Sequence, residues 1–467
     1  MKTDCIKAGD IINLTETGKE INPAFVLSAD ISGEITVCCQ TQKNDNSGYI
    51  FSVQVLLNEQ NTLNTELLFS LKKINTFDYT YKPVIGSVST SMLDQILRTL
   101  SRFTADLHYS AITDNKKSSH IPVTGKVLDK ADLHNMIDAS LDMWLTTGRF
   151  NYEFEKELAD FLGASRVITV NSGSSANLIA VTALMSHRLG KRRLKEGDEV
   201  ITVAAGFPTT INPIIQNKLI PVFVDIEPGT YNINCAQIEE AVTRKTKAII
   251  VAHTLGNPFN IDEIMLLAAK YNLWVIEDNC DALGSRYGGK YTGTYGHLAT
   301  LSFYPAHHIT TGEGGAIIIN DPLLLKTVVS LRDWGRDCWC DPGKDNTCGK
   351  RFDKVYGNLP AGYDHKYVYS HIGYNLKMTD WQAAIGLSQL KKLPGFIYKR
   401  QRNFERLYKG LREFNEYLLL PEKEKNSEPS WFGFLISVKQ NKLFSKNELV
   451  RWLDSGNIGV RNLFAGN

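Results

Sequence analysis

His307 stands in a stretch, residues 302–315, that carries glycines and hydroxyl side chains and no lysine. An imidazole at such a place can accept and return protons near neutral pH. Unlike a lysine amine, it cannot hold an aldehyde cofactor as an imine. Asp278 closes an apolar run, where a buried carboxylate can keep a ring nitrogen protonated; a capping or turn aspartate is the other reading. Residues 171–177 supply three serines (Ser172, Ser174 and Ser175) at the start of an expected helix. Free backbone N–H groups and the helix dipole there suit a phosphate, or a serine simply caps the helix. Phe207 can stack on a flat ring or belong to the core.

A second set of residues is suited to metal chemistry. Cys338, Cys340 and Cys348 fall on one short loop rich in glycine, proline and aspartate, and Cys280 follows Asp278 by two positions. Four thiolates fit an iron–sulfur cluster or structural zinc. Cys5, Cys38, Cys39 and Cys235 have no such company and read as ordinary thiols.

The elements that must position these groups follow from the pattern of apolar runs. From residue 123 onward, short runs at 166–170, 199–203, 221–225, 248–252 and 273–278 alternate with helical periods. That alternation predicts a mainly parallel sheet with helices on both faces, whose strand C-terminal ends collect the ligand. After Met378 a helical stretch and a strand-like run at 431–438 predict a smaller α+β lobe. Residues 1–103 carry β-branched runs and end in a helix at 92–100, the pattern of a small, mostly β unit. The expected domains are 1–105, a linker at 106–122 with a polar arm at 115–120, 123–390 and 391–467.

Composition narrows the classes. The chain has 467 residues, long enough for two or three folding units. Its 52 Lys and Arg against 50 Asp and Glu leave a net charge of +2, which argues against a dominant nucleic-acid or membrane footprint. No apolar run reaches membrane-spanning length and the N-terminus lacks a secretory core, so the expected setting is the cytoplasm. Eight cysteines over this length do not suggest a disulfide framework.

Taken in order, residues 171–177, 207, 278, 302–315 and 373–386 resemble the DegT/StrS sugar aminotransferase and dehydratase family, over about 123–467. The resemblance implies an α/β architecture of the fold type I pyridoxal-phosphate enzymes. It implies a site in which Ser175 and Ser302 contact the phosphate, Phe207 stacks on the ring, Asp278 pairs with the pyridinium, and Ser174 and Asp281 lie among the cofactor contacts. Asn375 would reach in from a second subunit, implying a homodimer. His307 occupies the place of the family's Schiff-base lysine. The cofactor is then expected as free pyridoxamine 5'-phosphate, with His307 as the catalytic acid and base.

The C-x-C…C spacing with Cys280 upstream resembles the cluster-carrying 3-dehydrase branch of the family. It implies a [2Fe–2S] cluster on Cys280, Cys338, Cys340 and Cys348, and a CDP-4-keto-6-deoxyhexose substrate that loses its C3 hydroxyl in O-antigen dideoxysugar synthesis. It also implies an NADH-dependent flavin and iron–sulfur reductase as electron donor. An ordinary sugar-nucleotide aminotransferase or a cluster-free 3-dehydratase is the alternative. Residues 7–12, 23–28 and 91–100 resemble the PemK/MazF-like fold, a small SH3-like barrel. Asn22 replaces that family's arginine, so a binding module or a structural extension is expected there, with no catalysis. The end at 459–467 resembles a sugar-nucleotide-binding stretch that stops short, as in a truncated small lobe.

Overall fold

The structure, a computed structural model, divides into two compact units, Met1–Lys116 and Lys117–Asn467. It describes residues 119–340 and 345–466; before residue 119 it describes a set of strands and short helical stretches between residues 94 and 109. Parts of the expected helix at 92–100, residues 115–118 of the expected arm and residues 341–344 of the cysteine loop lie outside the described residues. Among the described residues of the first unit, the strands pair antiparallel. They run across the sheet in the order Ile50–Val53, Leu67–Asn75, Glu34–Gln40, Lys19–Ala29, Asp10–Glu16, Thr80–Tyr81. The segment Gly86–Ser87 also pairs with Asp10–Glu16.

The second unit is built on seven strands: β1 (Val167–Val170), β2 (Glu199–Val203), β3 (Ile220–Val224), β4 (Thr246–Ala252), β5 (Trp274–Asp278), β6 (Leu298–Ser302) and β7 (Gly315–Ile319). They lie in the order 3-2-4-5-6-7-1. The pairs from β3 through β6 are parallel, and β7 runs antiparallel to both β6 and β1. This is the mainly parallel, helix-covered sheet of fold type I. The strands β6 and β7 are not among the expected runs.

The helices are α1 (Lys130–Leu141), α2 (Arg149–Leu162), α3 (Gly173–Leu184), α4 (Pro208–Gln216), α5 (Cys235–Ala241), α6 (Ile261–Tyr271), α7 (Pro322–Arg332), α8 (Asp380–Leu411) and α9 (Lys446–Ser455). Side chains alternate across a strand, so β4 and β5 supply both faces at once. Ile250 and Ile276 pack with Ile179 and Ala180 of α3 and Val328 of α7, while Ile249, Val251 and Val275 pack with Ile261 and Ile264 of α6. Burial on both faces explains why these strands read as continuous apolar runs. Among the described residues no helix is long and apolar enough to cross a membrane.

In the small lobe, the expected strand at 431–438 is reduced to Ser437–Val438. The hydrogen bonds of its first residues go elsewhere: Phe432 N–H donates to Leu255, and the carbonyls of Trp431 and Phe432 accept from Arg400. The 32 residues of α8 reach from the large sheet into this lobe, where Phe404 stacks on Trp431 with ring centroids 3.7 Å apart.

One carboxylate ties α8 to α2. The N-cap of α2 is Gly148, which offers no side chain to the free N–H groups of the first turn. Buried Asp380 does it from α8, accepting from Gly148 N at 2.9 Å, Phe150 N at 3.2 Å and Asn151 N at 2.9 Å. A Cβ on Gly148 would stand 2.7 Å from that carboxylate, so the glycine makes room for it. Asp380→Ala leaves several buried donors without an acceptor and is expected to lower stability by about 3 kcal/mol. Urea denaturation checks this. A loss no larger than that of an ordinary surface substitution would show that the cap carries little of the α2–α8 contact.

Candidate active site

The first turn of α3 is set down against the end of β6. Ser172 caps the helix, its Oγ accepting from Ser175 N at 3.1 Å and lying 3.0 Å from Ser175 Oγ. A Cβ on Gly173 would fall 2.5 Å from Ser302 Cβ and 3.2 Å from Cys280 Sγ. Only glycine allows the helix start, Ser302 and Cys280 to close up in this way. The exposed Ser174, with Ser175 and Ser302, therefore frames a spot rich in N–H and O–H donors at the positive end of a helix.

Asp278 ends β5 at 5% exposure. Its Oδ2 accepts from Asn177 Nδ2 at 2.9 Å and Thr210 Oγ1 at 2.7 Å, and its Oδ1 accepts from Cys280 N at 3.2 Å, with Thr300 Oγ1 3.4 Å away. Thr300 donates its hydroxyl hydrogen to Asn177 Oδ1 at 2.7 Å, which fixes the amide so that its NH2 faces the carboxylate. Every one of these donors is neutral. The carboxylate is oriented by them and is not neutralised.

His307 sits on the turn after β6, its backbone N–H bonded to Tyr304 O at 2.9 Å. Its side chain is 15% exposed, with Nδ1 3.4 Å from Asp281 Oδ1. That nitrogen has no hydrogen-bond partner. Burial pushes the imidazole down to about 4; Asp278 opposes the shift and Arg400 adds to it. Asp281 moves the other way, up to about 8, through burial and then the charge of Asp278, with Arg400 opposing. At pH 7 the pair thus holds a neutral imidazole beside a protonated carboxyl. The neighbouring His308 plays a different part. Its Nε2 lies 2.6 Å from Ser430 O and, since a carbonyl only accepts, donates to it and fastens the loop to the small lobe.

Phe207, the N-cap of α4, is 53% exposed and meets Phe464 edge-to-face at 5.6 Å. Asn375 is exposed; its side chain accepts from Lys377 Nζ at 2.8 Å and its backbone bridges to Asp333, so its bonds lead away from the Asp278 pocket of its own chain. Asn177, Thr210, Thr300 and Arg400 complete the site without having been singled out in the sequence. Arg400 lies in a run of basic and polar helix residues, where nothing distinguishes it from a solvated face. The three polar residues that fix Asp278 carry no spacing signal.

The thiols form a second group. The ligand atoms of Cys338, Cys340 and His365 lie within 4.8 Å of one another, and Cys348 Sγ lies 3.2 Å from His365 Nε2. Burial works against ionisation of Cys340, but hydrogen bonds from Thr347 and Cys348 and the neighbouring thiol bring it down to about 7. Cys280 is not in this group. It lies in the Asp278 pocket, 4.0 Å from Thr300 Oγ1, and burial followed by the Asp278 charge pushes its thiol well up. The 12-residue helix α3 starts against Cys280, and just past its end Arg188 pairs with Asp337, next to Cys338. The two places thus stand at opposite ends of a helix about 18 Å long.

In the protein without cofactor the His307 ring is expected to stay neutral from pH 8 to about pH 5, seen as an unchanging 13Cε1 chemical shift. An unfolded chain takes up that proton near 6.5, so the group contributes a loss of stability as pH falls from 6.5 toward 4. Titration of the folded ring near 6.5 would contradict the buried, neutral base.

Comparisons with known proteins identify the family. Residues 127–466 match the model of the DegT/DnrJ/EryC1/StrS aminotransferase family. The chain is 59% identical over 350 residues to the lipopolysaccharide biosynthesis protein RfbH of Salmonella typhimurium, covering 75% of this chain and 80% of that protein. It is 54% identical over 350 residues to a dTDP-4-dehydro-2,6-dideoxy-D-glucose 3-dehydratase of Saccharopolyspora spinosa, covering 75% of this chain and 76% of that one. Among solved structures it resembles the E. coli GDP-4-keto-6-deoxy-D-mannose-3-dehydratase with bound hydrated PLP. That match has a TM-score of 0.67 and 31% identity, covering 74% of this chain and 86% of the other. With its sheet order, its helix-capped serine cradle and a family match that spans most of its length, the chain belongs to the DegT/DnrJ/EryC1/StrS aminotransferase family.

Proposed function

We propose that this chain is a pyridoxamine-phosphate-dependent 3-dehydrase that removes the C3 hydroxyl of a CDP-linked 4-keto-6-deoxyhexose in O-antigen dideoxysugar synthesis. The observation that carries the reading is His307: a buried imidazole, neutral at pH 7, with one nitrogen unpartnered, in a loop without a lysine. Two relatives support the substrate class, one named for lipopolysaccharide biosynthesis and one for sugar 3-dehydration.

The residues present fit the cofactor. Asp278 is a buried carboxylate held by neutral donors, ready to face a protonated ring nitrogen. The first turn of α3, Ser174, Ser175 and Ser302 suit its phosphate, and Phe207 has an exposed face for its ring. When bound, pyridoxamine phosphate supplies an amine for the C4 ketone of the sugar and a ring that accepts electrons. His307 moves the proton at the carbon bearing that amine. Its neutral form makes it a base, and the protonated carboxyl of Asp281 beside it is a proton reserve for the departing hydroxyl.

Cys338, Cys340 and Cys348, together with a Cys280 of the Asp278 pocket, suit a [2Fe–2S] cluster that receives single electrons from a separate NADH-dependent reductase. The thiol loop and the segment carrying Asn375 are hydrogen-bonded together, Asp337 N to Val368 O at 2.7 Å and Trp334 N to Tyr374 O at 2.6 Å. In a homodimer in which Asn375 enters the partner's pocket, the thiol loop travels toward that pocket with it. The first unit is assigned a non-catalytic binding role, and the setting of the whole is the cytoplasm.

Turnover tests the reading. Protein purified without air, given pyridoxamine phosphate, a reductase with NADH and CDP-4-keto-6-deoxyglucose, is expected to yield a sugar lacking the C3 hydroxyl. His307→Asn is expected to lower that rate by about 10²–10⁴-fold while still binding the cofactor. Formation of a 4-amino sugar from glutamate, with C3 intact, would replace this reading with amino transfer.

A further inference from the structure

We propose that Arg400 is a positioning residue: it grips the small-lobe segment 430–432 on which the His307 turn is seated, and so sets the aim of the imidazole. The catalytic part of the proposal rests on the reading of His307 above; the clamp itself rests on geometry.

One face of α8 lies along this segment. Residues three or four apart share a helix face, and Ile397, Arg400, Gln401 and Phe404 follow that spacing. A Cβ on Gly284 would fall 2.4 Å from Ile397 Cδ1, Gln401 Nε2 donates to Pro429 O at 3.1 Å, and Phe404 stacks on Trp431. Half-buried Arg400 stands in the middle of this face. Its Nη1 donates to Trp431 O at 2.9 Å and to Phe432 O at 3.2 Å, and its Nη2 lies 3.5 Å from His307 O. All three oxygens are backbone carbonyls, so the cation holds main chain in place.

The segment it holds is the seat of the catalytic turn. Ser430 O accepts from His308 Nε2 at 2.6 Å, and the Phe432 ring faces His307 with centroids 5.3 Å apart. On the other side, Ser430 N donates to Ser285 Oγ at 2.8 Å and Phe432 N to Leu255 O at 2.8 Å. The approach is close enough that a Cβ on Gly256 would fall 2.2 Å from Ser430 O. The amides of the segment thus point to the large domain and two of its carbonyls point to Arg400. A guanidinium presents its donors in a rigid planar fork, whereas a lysine ammonium is a point charge on a flexible stem. Without the fork the 431 and 432 carbonyls lose their donors, and the seat of His307 is free to shift.

The experiment compares the full-length native chain with Arg400→Gln, Arg400→Lys and Gln401→Ala. Hydrogen–deuterium exchange is followed first, without cofactor. The amides of Phe303, His307 and Thr311 are hydrogen-bonded within the turn. In Arg400→Gln their exchange is expected to quicken at least about 10-fold, the equivalent of one lost charge-assisted hydrogen bond, with the sheet strands unchanged. In the turnover assay above, Arg400→Gln is expected to lower kcat about 10²-fold at unchanged KM, as a misplaced catalytic group does. Arg400→Lys, which keeps the charge, is expected to fall between Arg400→Gln and the native chain in both readouts and carries the test if Arg400→Gln fails to fold. Gln401→Ala, on the same helix face, is expected to match the native chain.

Native exchange in the turn of the Arg400 variants would overturn the clamp. So would faster exchange through the whole sheet, which would make Arg400 an anchor of the fold. Faster exchange in the turn at native kcat, or a raised KM at native kcat, would overturn the positioning role. A native chain that does not deoxygenate the sugar, with exchange in the Arg400 variants altered in the turn alone, would uphold the clamp and overturn the functional reading.

Discussion

The site depends on an anion buried without a counter-charge. Taking a carboxylate out of water is costly unless its oxygens are fully hydrogen-bonded. Asp278 meets that requirement with an amide, a hydroxyl and one backbone N–H, all neutral. Its negative field therefore reaches its neighbours. That field adds to burial in raising Asp281 to about 8, and it opposes the burial that brings His307 to about 4. An acid and a base with crossed proton affinities are left side by side, both uncharged at neutral pH, as proton transfer between two positions requires.

The fold produces this constraint at one point. In a mainly parallel sheet the strand C-terminal ends converge on one edge, and here β5 supplies Asp278 and β6 supplies Ser302. Because β7 and β1 follow β6 in the sheet, α3 after β1 crosses back over β6 and β5, bringing Asn177 to Asp278 and the helix N-terminus to Ser302. The helix α8 then adds to the site along its length. Its start caps α2 through Asp380, and its later turns carry Arg400, whose charge acts on both His307 and Asp281.

Much of this is legible in the sequence, for a physical reason. Strands buried on both faces are mostly apolar, so 248–252 and 273–276 stand out as runs, and the two carboxylates that end the second, Glu277 and Asp278, mark its C-terminal end. A helix opening on serines after a strand has few alternatives to an exposed N-terminus. The groups that fix these residues leave no such trace. Asn177 sits inside an apolar helix and Thr210 in a helix start, where a hydroxyl or amide is ordinary. His365 lies 17 residues beyond Cys348 with no spacing that ties it to the thiols, and only the packing of the Asp364 turn brings it there. The strand expected at 431–438 fails because its backbone groups are claimed by Leu255 and Arg400, a contact no local pattern reports.

The central claim is that vitamin B6 is held by Asp278 and the serine cradle without a covalent bond to the chain. It is tested most directly by loading the protein with pyridoxal phosphate, treating it with borohydride and weighing the denatured chain by mass spectrometry. The account predicts an unmodified chain and a cofactor that separates on denaturation. A mass increase of one reduced cofactor, mapped to a lysine, would contradict it.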